Sequence, residues 1–184
     1  MVDLASIRLL RTQFVYLIAM LPPSIQSEFE DRNHLLRPRV VRGSSNRSNI
    51  FYMVRRASSQ KGSLLQQCAA EVRDAWEAPG MFDQIRDKII LYVRTRDEAS
   101  ELASILRCDS YTAGSGTSAE KQKKLDRWTG DASHPYIVAT TALAEGFDYP
   151  YVRFVLNVNE PESLVVFAQE SGRAGRDGKK AYSW

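Results

Sequence analysis

An uninterrupted run of five apolar residues, Ile89-Ile90-Leu91-Tyr92-Val93, most constrains the fold of this chain. Strands of a parallel sheet are covered by helices on both faces, so they read as continuous apolar runs. Thr95 with Glu98 forms a capping-box pattern, which predicts a helix that starts directly after this strand and reaches Leu106. The run therefore predicts one strand-then-helix unit of an α/β fold.

Strand and helix patterns alternate along much of the chain. An apolar stripe at helical spacing predicts a helix over 64–76. We then expect strands at 108–112, 136–140, 152–158 and 181–184, with helices at 118–128 and 162–170. Alternation of this kind predicts a doubly wound parallel sheet with helices on both faces. Ligands of such sheets bind at the carboxyl ends of the strands, where we expect the loop at 139–148 and the turn after the helix at 162–170.

The amino-terminal third carries shorter signals. We expect a helix over 4–11, a buried strand over 13–19, a helix from Pro22-Pro23 to about residue 32, and short strands at 39–41 and 50–54.

Positive charge is concentrated within an otherwise ordinary globular composition of 184 residues, 43% hydrophobic and 26% charged, with a net charge of +3. No Asp or Glu occurs from residue 32 to residue 70, while the same stretch contains Arg32, Arg37, Arg39, Arg42, Arg47, Arg55, Arg56 and Lys61. Such a stretch suits either contact with phosphates or a solvated basic linker, and both interpretations stay open.

Cysteine spacing and apolar run length exclude several classes of protein. Cys68 and Cys108 are isolated, which indicates neither a disulfide framework nor a zinc site. The longest apolar run, 14–21, is too short to span a bilayer, and no signal-peptide pattern appears. We expect an intracellular protein without a membrane partner.

Two arginines among glycines form the strongest chemical signal, in the segment Gln169-Glu170-Ser171-Gly172-Arg173-Ala174-Gly175-Arg176-Asp177-Gly178. Guanidinium groups suit phosphate oxygens, and glycines let a backbone approach a ligand closely. The plain alternative is an exposed basic turn after a helix.

Hydroxyl and basic residues follow two of the expected strands. Thr140 and Thr141 leave a strand into a loop that contains Gly146 and Asp148, where hydroxyls and amides can hold a nucleic-acid phosphate. The alternative is an ordinary capped turn. Arg94 and Thr95 follow the first strand, and they suit either a grip on DNA phosphates or a helix cap with a solvated arginine.

These segments resemble, in order, the motifs of the RecQ-like DNA helicases, a branch of superfamily 2. Residues 88–96 resemble motif IV, and residues 111–114 resemble the short element after it. Residues 137–150 resemble motif V, and residues 169–178 resemble motif VI. Residues 16–23 resemble motif III, and residues 45–50 resemble the junction between the two motor domains. The resemblance covers most of the chain.

The resemblance implies a RecA-like fold in three parts. Residues 1–42 would be the carboxyl-terminal remnant of the first RecA-like domain, 43–60 the linker, and 61–184 the second RecA-like domain. It also implies ATP with Mg²⁺ as cofactor, shared with a first motor domain, and single-stranded or forked DNA as partner. Arg176 would be the arginine finger and Arg173 a second phosphate contact. The nucleotide side would include Gly146, Asp148 and Gln169, and the DNA side Arg94, Thr95, Thr140 and Thr141. A eukaryotic member would be nuclear.

Two catalytic motifs of the family are absent from this sequence. It contains no Gly-x-x-x-x-Gly-Lys-Ser/Thr loop, and Asp97-Glu98-Ala99-Ser100 reads as a helix start, not as the family's Asp-Glu box. Ile18 and Met20 also stand where motif III commonly carries hydroxyls. We therefore expect a truncated or decayed copy that hydrolyses little ATP alone.

Two other classes of function remain as alternatives. One is a non-catalytic module that binds nucleic acid or a partner, such as a separate first motor domain. The other, more remote, is an NAD-dependent oxidoreductase, because residues 114–119 fit a loose dinucleotide fingerprint.

Overall fold

The computed structural model describes residues 13–18, 21–144 and 147–184, which form parts of two compact units, Met1–Asn46 and Arg47–Trp184. In the first unit, a 3-10 turn at Pro23–Ile25 leads into helix α1, Gln26–Arg32. Residues 13–18 form no strand, and neither does any other described residue of this unit. An isolated extended segment lacks a neighbour for its backbone hydrogen bonds, so an apolar run alone does not make a strand. The helix expected over 4–11 lies outside the described residues.

The second unit alternates strands and helices, as the pattern predicted. Its strands are β1 (Ile50–Tyr52), β2 (Lys88–Tyr92), β3 (Asp109–Tyr111), β4 (Tyr136–Ala139), β5 (Val152–Asn157) and β6 (Ala181–Ser183). Its helices are α2 (Leu64–Glu77), α3 (Arg96–Leu106), α4 (Ser118–Gly130) and α5 (Leu164–Ser171), with a 3-10 helix at Thr141–Ala144.

All six strands run parallel in one sheet, in the order β1-β6-β5-β2-β4-β3. Strand β2 lies in the interior, where Ile90 pairs with Ile137 of β4 and with Val155 of β5. Every residue of β2 is buried, which explains its continuous apolar run. The doubly wound α/β fold expected from the sequence is confirmed.

Helices cover the sheet on both faces. On one face, α2 and α3 pack against Leu91, Phe154 and Leu156. On the other, Trp128 of α4 and Leu143 of the 3-10 helix pack with Ile90, Ile137 and Val155. The two apolar clusters fix the sheet between layers, so the loops at its edges are held on a rigid scaffold.

Capping boxes start three of the helices. Thr95 and Glu98 cap α3 as the sequence predicted. Helix α4 is capped by Thr117 with Glu120, one residue earlier than the Ser118 cap expected from the sequence. Gly116 has φ +99° directly before this cap, so this glycine serves the helix start.

Candidate functional site

The segment Gly172–Gly178, here called the arginine loop, lies at the amino ends of β5 and β6. The Gly175 amide donates to the carbonyl of Val152, the first residue of β5, at 2.8 Å. We expected this turn at the carboxyl edge of the sheet, and that placement is wrong. Helix α5 follows a strand and precedes the next parallel strand, so it carries the chain back toward the amino ends before the loop begins.

The loop brings both predicted arginines against the segment that precedes β5. Arg176 pairs with Asp148 at 2.5 Å, and both side chains are accessible, at 34% and 78% exposure. Arg173 is buried at 8% exposure, and its guanidinium donates to the carbonyl of Phe147. Burial lowers the pKa of Arg173 from its usual value. Arg173, Arg176 and Asp148 thus form one cluster.

A buried ion network holds the far end of the arginine loop. Arg153 of β5, with 4% of its side chain exposed, donates to both carboxylate oxygens of Asp177 at 2.9 and 2.8 Å. Its second partner is Asp87, which directly precedes β2, at 3.2 Å. Hydrogen bonding from Arg153 lowers the pKa of Asp177. Arg153 was not among the predicted site residues, although a charge inside an apolar strand indicates a buried partner.

Thr140 and Thr141 lie at the carboxyl end of β4. The Thr140 amide donates to the Tyr111 carbonyl at 3.2 Å, and its carbonyl accepts from the Leu143 amide at 3.1 Å. Thr141 is exposed and opens the 3-10 helix. The chain therefore passes from the carboxyl edge at Thr140 to the start of β5 after Asp148. Gly146, within this passage, lies outside the described residues.

Arg94 and Thr141 line the same small cleft at the carboxyl edge, of about 60 Å³. Arg94 is exposed and donates to the Glu160 carbonyl at 3.2 and 2.6 Å. The Thr95 hydroxyl accepts from the Glu98 amide at 3.1 Å, so its side chain is engaged as the cap of α3. A DNA contact by Thr95 stays a prediction.

Glu170, which was not among the predicted site residues, is the buried acid of this cleft. It is 4% exposed and accepts from Asn157 Nδ2 at 2.5 Å. The pKa of Glu170 is raised to about 7. Burial is the largest cause, the hydrogen bond from Asn157 opposes the shift, and the nearby Glu162 adds to it. Its neighbour Gln169, predicted to contact the nucleotide, is exposed on α5.

Two further observations concern metals and membranes. Within the described residues, no three His, Cys, Asp or Glu side chains come together as a metal site. None of the helices in the described part of the chain is both long enough and apolar enough to cross a membrane.

Residues 77–178 match the model of the helicase conserved C-terminal domain. This match spans more than half of the chain, so the chain belongs to that family.

RecQ-like helicases are among its relatives. It is 30% identical to the ATP-dependent DNA helicase Q-like 2 of Arabidopsis thaliana, over 96% of this chain and 25% of the relative. It is 32% identical to the ATP-dependent DNA helicase Q5 of Rattus norvegicus, over 95% of this chain and 18% of the relative. The chain thus spans a quarter or less of the length of these relatives.

The fold also matches solved helicase structures. One is Saccharomyces cerevisiae Dbp5 L327V bound to RNA and ADP BeF3, with a TM-score of 0.63 and 17% identity over 90% of this chain and 42% of that chain. At this identity the similarity supports the RecA-like fold alone.

Proposed function

We propose that this chain supplies the second motor domain of an ATP-dependent DNA helicase that moves 3′ to 5′ along a strand. In this role Arg176 is the arginine finger, and Arg173 supports the phosphate site beside it. The observation that carries the proposal is the cluster of Arg176, Arg173 and Asp148, which joins the segments resembling motifs V and VI.

The cluster suits the terminal phosphates of a nucleotide. Arg176 is accessible and is held by Asp148 at the surface, so its guanidinium can exchange a carboxylate for phosphate oxygens. A positive charge near the transferred phosphoryl group stabilises the negative charge that develops there. Gln169 and Gly146 remain proposed nucleotide contacts.

Arg173 and Arg176 are proposed to contact the triphosphate of ATP–Mg²⁺, and the described residues provide no cluster of three acids that could hold the metal. Mg²⁺ neutralises phosphate charge in such sites. We assign its ligands, and the phosphate-cradling loop, to a first motor domain. Accordingly, the chain alone is proposed to hydrolyse little ATP.

The carboxyl edge is proposed as the DNA side. Arg94 and Thr141 line one cleft there, and Thr140 lies beside it at the end of β4. Hydroxyls, amides and guanidinium groups at this edge suit the phosphates of a single strand. Single-stranded or forked DNA is the proposed partner, and in a eukaryote the protein would work in the nucleus.

Reconstitution of ATP hydrolysis tests the proposal. The chain is mixed with the first motor domain of the Arabidopsis relative and single-stranded DNA, and phosphate release is measured. We expect DNA-stimulated hydrolysis that Arg176→Ala reduces by about 100-fold or more, since a finger arginine typically contributes at least that much. Arg176→Lys should also be slow, because an ammonium lacks the forked donors.

Arg107→Ala is the matched control, because Arg107 is an exposed arginine after α3 and its substitution removes the same positive charge. It should leave the rate unchanged. Full activity of Arg176→Ala, or no hydrolysis with the unaltered chain, would count against the motor function.

A non-catalytic nucleic-acid-binding module is the second candidate. The internal pairing of Arg176 with Asp148 favours it, because that pairing satisfies the arginine without a nucleotide. DNA binding by the chain without any hydrolysis in the reconstitution would support this candidate.

A further inference from the structure

Two side chains from the segment just before β1 hold the backbone of the arginine loop. Arg47 Nη2 donates to the carbonyls of Ala174 at 2.8 Å and Gly175 at 3.0 Å, and Arg47 Nη1 donates to the carbonyl of Gly172 at 3.2 Å. Asn49 Nδ2 donates to the carbonyls of Gly175 and Lys179, both at 2.8 Å. The loop therefore rests on donors that precede it by more than 120 residues in sequence.

These donors add hydrogen bonds to carbonyls of the loop, two of which, those of Gly172 and Ala174, accept from no amide within the loop. Within and around the loop, the amides bond to Glu170, Ser171, Val152 and Gly175 carbonyls. The carbonyls of Gly172 and Ala174 accept from Arg47, and the Gly175 carbonyl accepts from Arg47 in addition to the Gly178 amide. Hydrogen bonds from a charged guanidinium are about twice as strong as those between neutral groups, so one side chain fixes three successive points of the loop.

The Asn49 side chain packs closely against the backbone of Gly175. Its φ is +57°, and a Cβ built there would lie 2.5 Å from Asn49 Nδ2 and 2.8 Å from the Lys179 carbonyl oxygen. Only glycine allows both this backbone conformation and this approach. The sequence supplies a residue without a side chain where the Asn49 amide must touch the backbone.

The fixed points alternate with the two functional arginines. Arg173 lies between the held carbonyls of Gly172 and Ala174, and Arg176 directly follows the held carbonyl of Gly175. A displacement of the loop would therefore move both guanidinium groups together. Catalytic groups misplaced by about 1 Å can cost about 100-fold in rate.

We propose that Arg47 and Asn49 are positioning residues, which set the arginine loop so that Arg173 and Arg176 face the reacting phosphates. This inference rests on the proposed function of the arginine loop. Neither side chain needs to touch the nucleotide, because both act through backbone carbonyls.

Steady-state kinetics of the reconstituted ATPase test the inference with Arg47→Ala, Arg47→Lys and Asn49→Ala. We expect kcat to fall by about 10- to 100-fold in Arg47→Ala, with the KM for ATP changed less than about threefold. Asn49→Ala should show a smaller fall of the same kind. Arg47→Lys should lie between, because lysine keeps the charge but cannot fork across three carbonyls.

Arg55→Ala is the matched control for a purely structural loss. Arg55 follows β1 and pairs with Glu71 of α2 at 2.6 Å. Its guanidinium also lies 4.4 Å from the ring centre of Trp184, the residue after β6, so its contacts are with these residues and not with the arginine loop. It should lower the melting temperature with little effect on kcat. An equal fall of kcat in Arg55→Ala and Arg47→Ala, or unchanged kcat in Arg47→Ala, would overturn the inference.

Hydrogen exchange of the chain alone supplies a readout that is independent of hydrolysis. The amides of Gly175 and Gly178, which bond to Val152 and Gly175, should exchange about tenfold faster in Arg47→Ala, while those of β2 keep their protection. Unchanged exchange at both glycines would also overturn the inference. If the unaltered chain shows no ATPase, the proposed function fails. Faster exchange in Arg47→Ala would then indicate a purely structural role for Arg47, and the positioning role would be overturned.

Discussion

At the scale of single residues, Glu170 stands out because its charge depends on the fold. Its carboxyl group is buried beside Asn157, and its pKa rises from 4.5 to about 7. The folded state thus binds the proton more tightly than the unfolded state does. Between these two pH values stability falls as pH rises, and above about pH 7 the full cost of an ionised buried acid is present.

Glu170→Gln should remove this cost. We expect the free energy of unfolding to rise by about 1–3 kcal/mol at pH 8 and to change little at pH 5. Urea unfolding at the two pH values measures the difference. Glu101→Gln, at an exposed position on α3, is the control and should have little effect at either pH. A gain of equal size at both pH values would mean that the charge of Glu170 is not the cause.

Sequence reasoning singled out Arg173, Arg176 and Asp148, which the structure brings together, because their chemistry is visible in two short segments. It missed Glu170 as a buried acid, since Glu170 lies on α5 and its partner Asn157 lies at the end of β5. It likewise missed Arg47, whose acceptors lie in a distant loop. Contacts between residues far apart in sequence carry no local signal.

At the scale of elements, Arg153 ties together the amino ends of two strands and the arginine loop. Arg153 lies on β5, Asp87 directly precedes β2, and Asp177 belongs to the loop before β6. A buried pair that loses one partner leaves an uncompensated charge, which is more costly than the pair is favourable.

Arg153→Met should therefore lower the free energy of unfolding by about 3–5 kcal/mol, because it leaves the carboxylates of Asp87 and Asp177 without their guanidinium partner. Chemical denaturation at pH 7 measures the loss. Arg127→Met is the matched control, since Arg127 forks onto Asp109 with half of its own side chain exposed. That surface pair should contribute less than about 1 kcal/mol. Similar losses in both variants would contradict a special role for the buried network.

Helix and strand positions were largely predictable, because local chemistry sets them. The burial of β2 and the Thr95 cap follow from a few adjacent residues. The order of strands was not predictable in the same way. Strand β6 lies between β1 and β5, and this pairing requires residues 50 and 181 to meet. The arginine loop was placed at the wrong edge because the direction of α5 was not taken into account.

At the scale of the whole molecule, charge is less available to DNA than the sequence suggests. Several arginines of the acid-free stretch are engaged by other described residues. Arg47 holds the arginine loop, Arg55 pairs with Glu71, Arg32 pairs with Glu28, and Arg42 donates to the Leu21 carbonyl and to Gln26. With a net charge of only +3, the chain has a weak long-range field. Binding to a single strand should therefore depend on few phosphate contacts.

Arg94→Ala should weaken binding to single-stranded DNA and reduce the salt dependence of the binding constant by about 0.7 in logarithmic slope. Fluorescence anisotropy with a labelled oligonucleotide, repeated at several salt concentrations, measures both effects. Arg107→Ala removes the same charge at the end of α3 and should leave the slope unchanged. An identical slope for Arg94→Ala and the unaltered chain would remove Arg94 from the DNA side.

The bonds from Arg47 and Asn49 to the arginine loop also have a consequence for biosynthesis. These partners are separated by 125 to 130 positions in sequence, so their contact closes a loop that contains nearly the whole second unit. During synthesis on a ribosome, Asn49 cannot form its hydrogen bond to the Lys179 carbonyl until Lys179 has left the exit tunnel. The arginine loop can therefore become ordered only after nearly all of the second unit described here has been synthesised.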